Sequence, residues 1–268
     1  MKLDFNKIIV ACGTPVQRYV TPEQIRQIFG REPSKDSKEY PFPGLNTSFT
    51  TVLTRNGEEG EWFRKLFDCD MQNSKSKALN ELPTREIHRV INSPAITDGN
   101  LLVPEAYIYE PVEGLAELLT KYLDGFEPYP FDSNCSIEAR INAILLLKAA
   151  SLKYYSDGNI IVRKPQIGLV DFEESTLRNP ESEPIRDLVN GYKLLKEELG
   201  PEEITVDMLL GRCNESLEIL SNRDIQNTLR KHLEVAMRID ESEAGLIIKN
   251  TIRAIEKFRD DLKNGTAF

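Results

Sequence analysis

Few residues in this chain suit chemistry, and their spacing limits what they could do. There are two histidines, His88 and His232, and four cysteines, Cys12, Cys69, Cys135 and Cys213. No two cysteines lie within 50 residues of each other, so no Cys-x-x-Cys pair exists to begin a zinc site or a redox motif. Buried free thiols are expected instead, and no metal or cofactor. A Ser-His-Asp or Cys-His arrangement would need His88 or His232, and both fall in helical patterns where a structural or solvated role is expected. The glycine-rich phosphate loop, the GxGxxG fingerprint, the GxSxG elbow and HExxH are all absent.

The first candidate ligand site is the loop Gly13-Thr14-Pro15-Val16-Gln17-Arg18. It follows an apolar run, Lys7 to Gly13, that reads as a strand buried on both faces. In open α/β sheets ligands bind beyond the carboxyl ends of strands, where a following helix offers free N–H groups. Gly13 would admit a ligand close to the backbone. Thr14 offers a hydroxyl, Gln17 an amide, and Arg18 a guanidinium for an anionic, nucleotide-like group.

The second is Asp157 to Glu174 (DGNIIVRKPQIGLVDFEE). It resembles the catalytic segment of small-molecule kinases of the aminoglycoside phosphotransferase type. There an Asn opens a strand, and a later strand ends in Asp-Phe that holds magnesium. The resemblance covers under a tenth of the chain and puts Asn159 and Asp171 in those places. The family's catalytic aspartate lies five residues before the Asn, where this chain has Tyr154, and the preceding His is missing. Without that base the segment is expected to be a structural hairpin and not an active kinase.

Acids cluster at Glu58, Glu59 and Glu61, at Glu173 and Glu174, and at Glu197, Glu198, Glu202 and Glu203. These read as solvated faces. Glu138 opens an apolar helix, where burial would raise its pKa, but there it also complements the helix dipole.

The elements that must position these residues follow from periodicity. Thr21-Pro22-Glu23 begins a helix that closes at Gly30. Ser48 to Thr54 alternates as a strand, and Arg55-Asn56-Gly57 turns it. Glu58 to Phe67 places Trp62, Phe63, Leu66 and Phe67 at helical spacing. Asn73 to Ala78 is polar, Pro83 to Ile91 reads as a short helix, and Leu101 to Tyr109 as extended chain. Val112 to Leu123 reads as an amphipathic helix. Ser136 to Tyr155 is apolar around most of its girth, as a core helix is. From Pro184 onward four apolar seams at spacings of three and four describe a bundle. The expected architecture is an α/β or α+β domain over 1–180 with an all-helical module over 181–268.

With 268 residues, 40% hydrophobic and 29% charged, the chain can bury a core. A net charge of −9 argues against nucleic acid as a partner, and Arg223 to Arg238, the densest basic stretch, carries Asp224 and Glu234 within it. No signal peptide or membrane span is read, so a cytoplasmic protein is expected. The missing catalytic motifs and the acidic helical module point to a non-catalytic adaptor, regulatory or assembly subunit that contacts a protein partner. The alternative is an anionic-ligand-binding protein or enzyme using the Gly13–Arg18 loop.

Overall fold

In the computed structural model the described residues are 3–13, 18–33, 47–67, 71–93, 100–128, 135–152, 159–178 and 203–267. The hairpin between β2 (Thr47–Arg55) and β3 (Glu58–Phe67) organises the first sheet. Asn56 and Gly57 both take positive φ, 53° and 83°. A two-residue turn of that kind matches the twist of paired strands. Arg55 therefore pairs with Glu58, and the register runs on to Thr47 opposite Leu66.

This turn corrects the helix expected over Glu58–Phe67, which is β3. The helix expected over Val112–Leu123 is likewise a strand, β6 (Leu115–Lys121), folded back on β5 (Ala106–Val112). Leu118 faces one core and Leu119 the other. A strand covered on both sides loses the alternation that would mark it. The five strands run β1-β5-β6-β3-β2, with β1 (Arg18–Tyr19) parallel to β5 and the rest antiparallel.

The strand expected over Lys7–Gly13 is a helix, α1 (Phe5–Cys12). Asp4 caps it by accepting from the Lys7 N–H at 3.2 Å. Ile8 and Cys12, four apart, are buried, while Val10 is exposed. So short an apolar run suits either element until its cap decides.

On one face of the first sheet, α2 (Pro22–Phe29) sets Phe29 edge-on to Trp62 and Tyr107. Thr21 and Gln24 form its capping box. Against the other face lies α3 (Met71–Ile91), which continues through Pro83 and takes in the polar stretch from Asn73 to Ala78. A second sheet runs β4 (Leu101–Leu102), β9 (Gln166–Leu169), β8 (Ile160–Arg163), β7 (Glu127–Pro128). The hairpin expected over 157–174 is β8 and β9.

The core helix is α4 (Ile137–Ala149), capped by Ser136, with Ile144 to Leu147 all buried. Among the described residues three helices follow, α5 (Val206–Ser221), α6 (Arg223–Met237) and α7 (Glu241–Asn264). The fold is thus a mixed α/β N-terminal region followed by C-terminal helices. The fourth expected seam, in Pro184 to Leu199, lies outside the described residues. The apolar seams of α5 to α7 join α3 and α4 in one core. Among the described residues no helix is long and apolar enough to cross a membrane.

Candidate functional site: a cleft between the two sheets

Strand alternation puts Phe63 and Lys65 of β3 on one face, paired with Thr120 and Leu118 of β6. These four line a cavity of about 320 Å³. Its helix wall is Glu81 and Arg85 of α3, and the segment from Lys121 to Phe126 closes one side. Ile161 of β8 and Val170 and Asp171, just after β9, come from the second sheet, with Asn159 before β8.

Charge is concentrated at one end. The Lys65 ammonium lies 2.9 Å from both carboxylate oxygens of Asp171 and 3.1 Å from Glu173 Oε2. Burial disfavours this ammonium, but Asp171 and Glu173 outweigh it, so its pKa is raised. Asp171 holds a positive φ of 67°, a conformation that few residues other than glycine and Asn or Asp adopt. Its neighbours are pinned to α3. The Phe172 N–H donates to Glu81 Oε1 at 2.8 Å, and Asn80 Nδ2 donates to the Glu173 carbonyl at 3.1 Å. The Val170 N–H donates to the Asn159 carbonyl at 3.0 Å, which ties Asn159 to the same corner.

Glu81 is fully buried and takes the Arg85 guanidinium at 2.9 Å. Burial pushes its carboxyl up to about 7, against the pull of Arg85 and with the help of Asp171. Arg85 also donates to the Pro104 carbonyl and stacks over the Phe172 ring. At this end the Asp171 and Glu173 carboxylates hold the Lys65 ammonium, while Glu81 acts on it only through its charge and is itself paired with Arg85. Among the described residues no group of three or more acidic, histidine or cysteine side chains is placed to hold a metal ion by itself, so a cation here would need further ligands from a bound phosphate.

The loop singled out first lies elsewhere. Gly13 caps the C-terminus of α1 with φ 53°, so it follows a helix and not a strand. Thr14, Pro15, Val16 and Gln17 lie outside the described residues. Arg18 opens β1 and lines a separate hollow of about 240 Å³ with Gln24, Gln27 and Arg238. There the Arg238 guanidinium sits over the Tyr19 ring and donates to Gln24 Oε1 at 2.6 Å.

Neither histidine lines the cleft. His88 contacts Asn92 Nδ2 at 3.3 Å, and burial, then Arg85 and Arg89, push its pKa down to about 3. His232 of α6 is buried with Nδ1 3.6 Å from Glu86 of α3. Cys12, Cys135 and Cys213 are buried free thiols, and burial pushes Cys12 and Cys213 up to about 11. Cys69 lies outside the described residues. Glu138 is exposed in the first turn of α4.

Of the residues singled out in the sequence, Asn159 and Asp171 line the cleft, and Glu173 joins Asp171 at the Lys65 ammonium. Lys65, Glu81 and Thr120 were missed. The signal for Lys65 was the Asn56-Gly57 turn, which makes Glu58–Phe67 a strand and so puts Phe63 and Lys65 together on the face that lines the cleft. No family model matches the chain, and no curated protein matches it.

Proposed function

We propose that the cleft binds a nucleoside triphosphate with a divalent cation, and that the protein is a kinase-like regulatory subunit that does not itself transfer phosphate. One observation carries this reading: a buried strand lysine bridges the aspartate of an Asp-Phe segment at the mouth of a cavity between two sheets. In kinases a strand lysine meets the phosphates, a helix glutamate supports it, and an aspartate and an asparagine hold magnesium. Lys65, Glu81, Asp171 and Asn159 are the matching types, and the Asp157–Glu174 resemblance points the same way. Asp171 and Glu173 would hold the cation. When bound, it supplies positive charge against the phosphates.

Tyr154, where that resemblance would need a catalytic aspartate, supports binding without transfer. Val206, Met208, Val235 and Leu246, exposed on α5 to α7, support contact with a protein partner.

Calorimetry with ATP and magnesium is the test. The wild type should bind, Asp171→Asn should lose the magnesium-dependent part of the affinity, and no radiolabel should leave the γ-phosphate. ATP binding that Asp171→Asn leaves unchanged would overturn the reading.

A second reading keeps Arg18 as the ligand for an anion, supported by Arg238 on the same hollow. Arg18→Ala would then abolish nucleotide binding where Lys65→Met would not.

A further inference from the structure

Thr120 is 4% exposed, and its hydroxyl has no hydrogen-bond partner among the described residues. Buried hydroxyls are nearly always paired, so an orphan calls for a cause. Its position supplies one. Thr120 pairs with Phe63 in the β3–β6 register, two residues along β6 from Leu118, which pairs with Lys65. Side chains two apart share a face of the sheet, so the hydroxyl belongs to the face that lines the cavity.

Around it the lining is mostly apolar, with Phe63 and Leu118 on one side and Leu123, Phe126 and Ile161 on the other, and Lys121 and Tyr122 following Thr120 along the chain. An apolar slot with one unanswered polar group suits a flat heterocycle that carries one polar substituent at that point. The phosphate end, at Lys65 and Asp171, lies about 7 Å further along the strand direction.

We propose that Thr120 reads the base of the nucleotide. Its hydroxyl bonds the exocyclic 6-substituent of a purine, so the cleft selects purines that carry a 6-amino or 6-oxo group over purines that lack one. A threonine hydroxyl both donates and accepts, so it serves either substituent. The proposal rests on the nucleotide reading of the cleft.

The test compares wild type with Thr120→Val, which keeps the shape and removes the hydroxyl. The ligands are ATP and the triphosphate of purine riboside, whose base has no 6-substituent. Affinities are measured by calorimetry with magnesium, and melting temperatures without ligand. Wild type should prefer ATP. The variant should lose roughly tenfold in affinity for ATP and nothing for the purine riboside triphosphate. Without ligand the variant should melt at the same temperature or higher, since it no longer buries an unanswered hydroxyl. Equal ATP affinity in both proteins overturns the proposal and leaves the cleft reading standing. Equal losses for both ligands also overturn it, because Thr120 would then act through shape. If wild type binds neither ligand, the cleft reading falls and the proposal falls with it.

Discussion

Lys65 and Asp171 stand 106 residues apart in sequence, and the Lys65 ammonium lies 2.9 Å from both oxygens of the Asp171 carboxylate. The contact joins the first sheet to the end of the second across the cleft. It exists because two hairpins, one turning at Asn56-Gly57 and one formed by β8 and β9, deliver their strands to the same corner. Lys65 is the centre of the cluster, since Glu173 shares its ammonium and Glu81 lies close enough to raise its pKa.

Removing that ammonium should leave Asp171 and Glu173 facing each other without a counter-charge. Lys65→Met is expected to cost about 2–3 kcal/mol in urea melts, less than a fully buried pair because Asp171 is partly exposed. Magnesium at millimolar level should recover part of the loss by taking the place of the ammonium. Asp171→Asn should cost less, because Glu173 still answers Lys65. A larger cost for Asp171→Asn, or no recovery with magnesium, would contradict this account.

Gly168 of β9 sits under the cavity floor. A Cβ built there would lie 2.8 Å from Ile161 Cγ1 and 3.0 Å from Leu123 Cδ1, both on cavity-lining residues. Gly168→Ala should push these side chains into the cavity. Nucleotide affinity should fall at least about tenfold, while overpacking costs about 1–3 kcal/mol. A variant that binds as well as wild type would show that Ile161 and Leu123 do not bound the ligand.

Behind the cleft, on the opposite face of the first sheet, Arg64 donates to both oxygens of Glu117 at 2.6 and 3.1 Å. Glu117 is fully buried and Arg64 nearly so. Arg64→Met alone should cost about 3–5 kcal/mol, because a fully buried carboxylate loses the guanidinium that donates to both its oxygens. The double variant Arg64→Met with Glu117→Leu should recover most of that. Single and double variants equal in chemical denaturation would mean that the pair contributes nothing specific.

How far the sequence revealed this structure depends on what covers each element. The helices α5, α6 and α7 were legible because each buries one stripe, and Thr205, Asn222 and Asp240 cap them by accepting from backbone N–H groups. The strand β6 was not, because Leu118 and Leu119 are both buried, on opposite faces, and a run of apolar residues fits either period. The short run at Ile8 to Cys12 had the same ambiguity, and only the Asp4 cap resolves it. In the cleft, Asn159 and Asp171 were visible through a local pattern, whereas Lys65, Glu81 and Thr120 come from three separate elements. Their convergence is a property of strand register and of the packing of α3, which no local window contains.

Lys148 of α4 offers a test by pH. Its ammonium lies 4.8 Å from the centre of the Phe258 ring and 3.5 Å from the Ala267 carbonyl. Burial lowers its pKa to about 8 from the ordinary 10.5; Asp261 opposes that shift and Lys257 adds to it. Between those two values the unfolded chain binds more protons than the folded one, so this group makes stability rise with pH through that window. Below about pH 8 both states are protonated and the full cost of burying the charge applies. Lys148→Met removes the charge but also a cation–ring contact. It should therefore stabilise the protein by about 1–3 kcal/mol near pH 7. The gain should shrink as pH rises past 8 and vanish as it approaches 10.5. Taking the difference between variant and wild type cancels the titrating groups that do not interact with Lys148. A difference that stays constant across the window would mean that the Lys148 charge is solvated and that α4 and α7 do not enclose it.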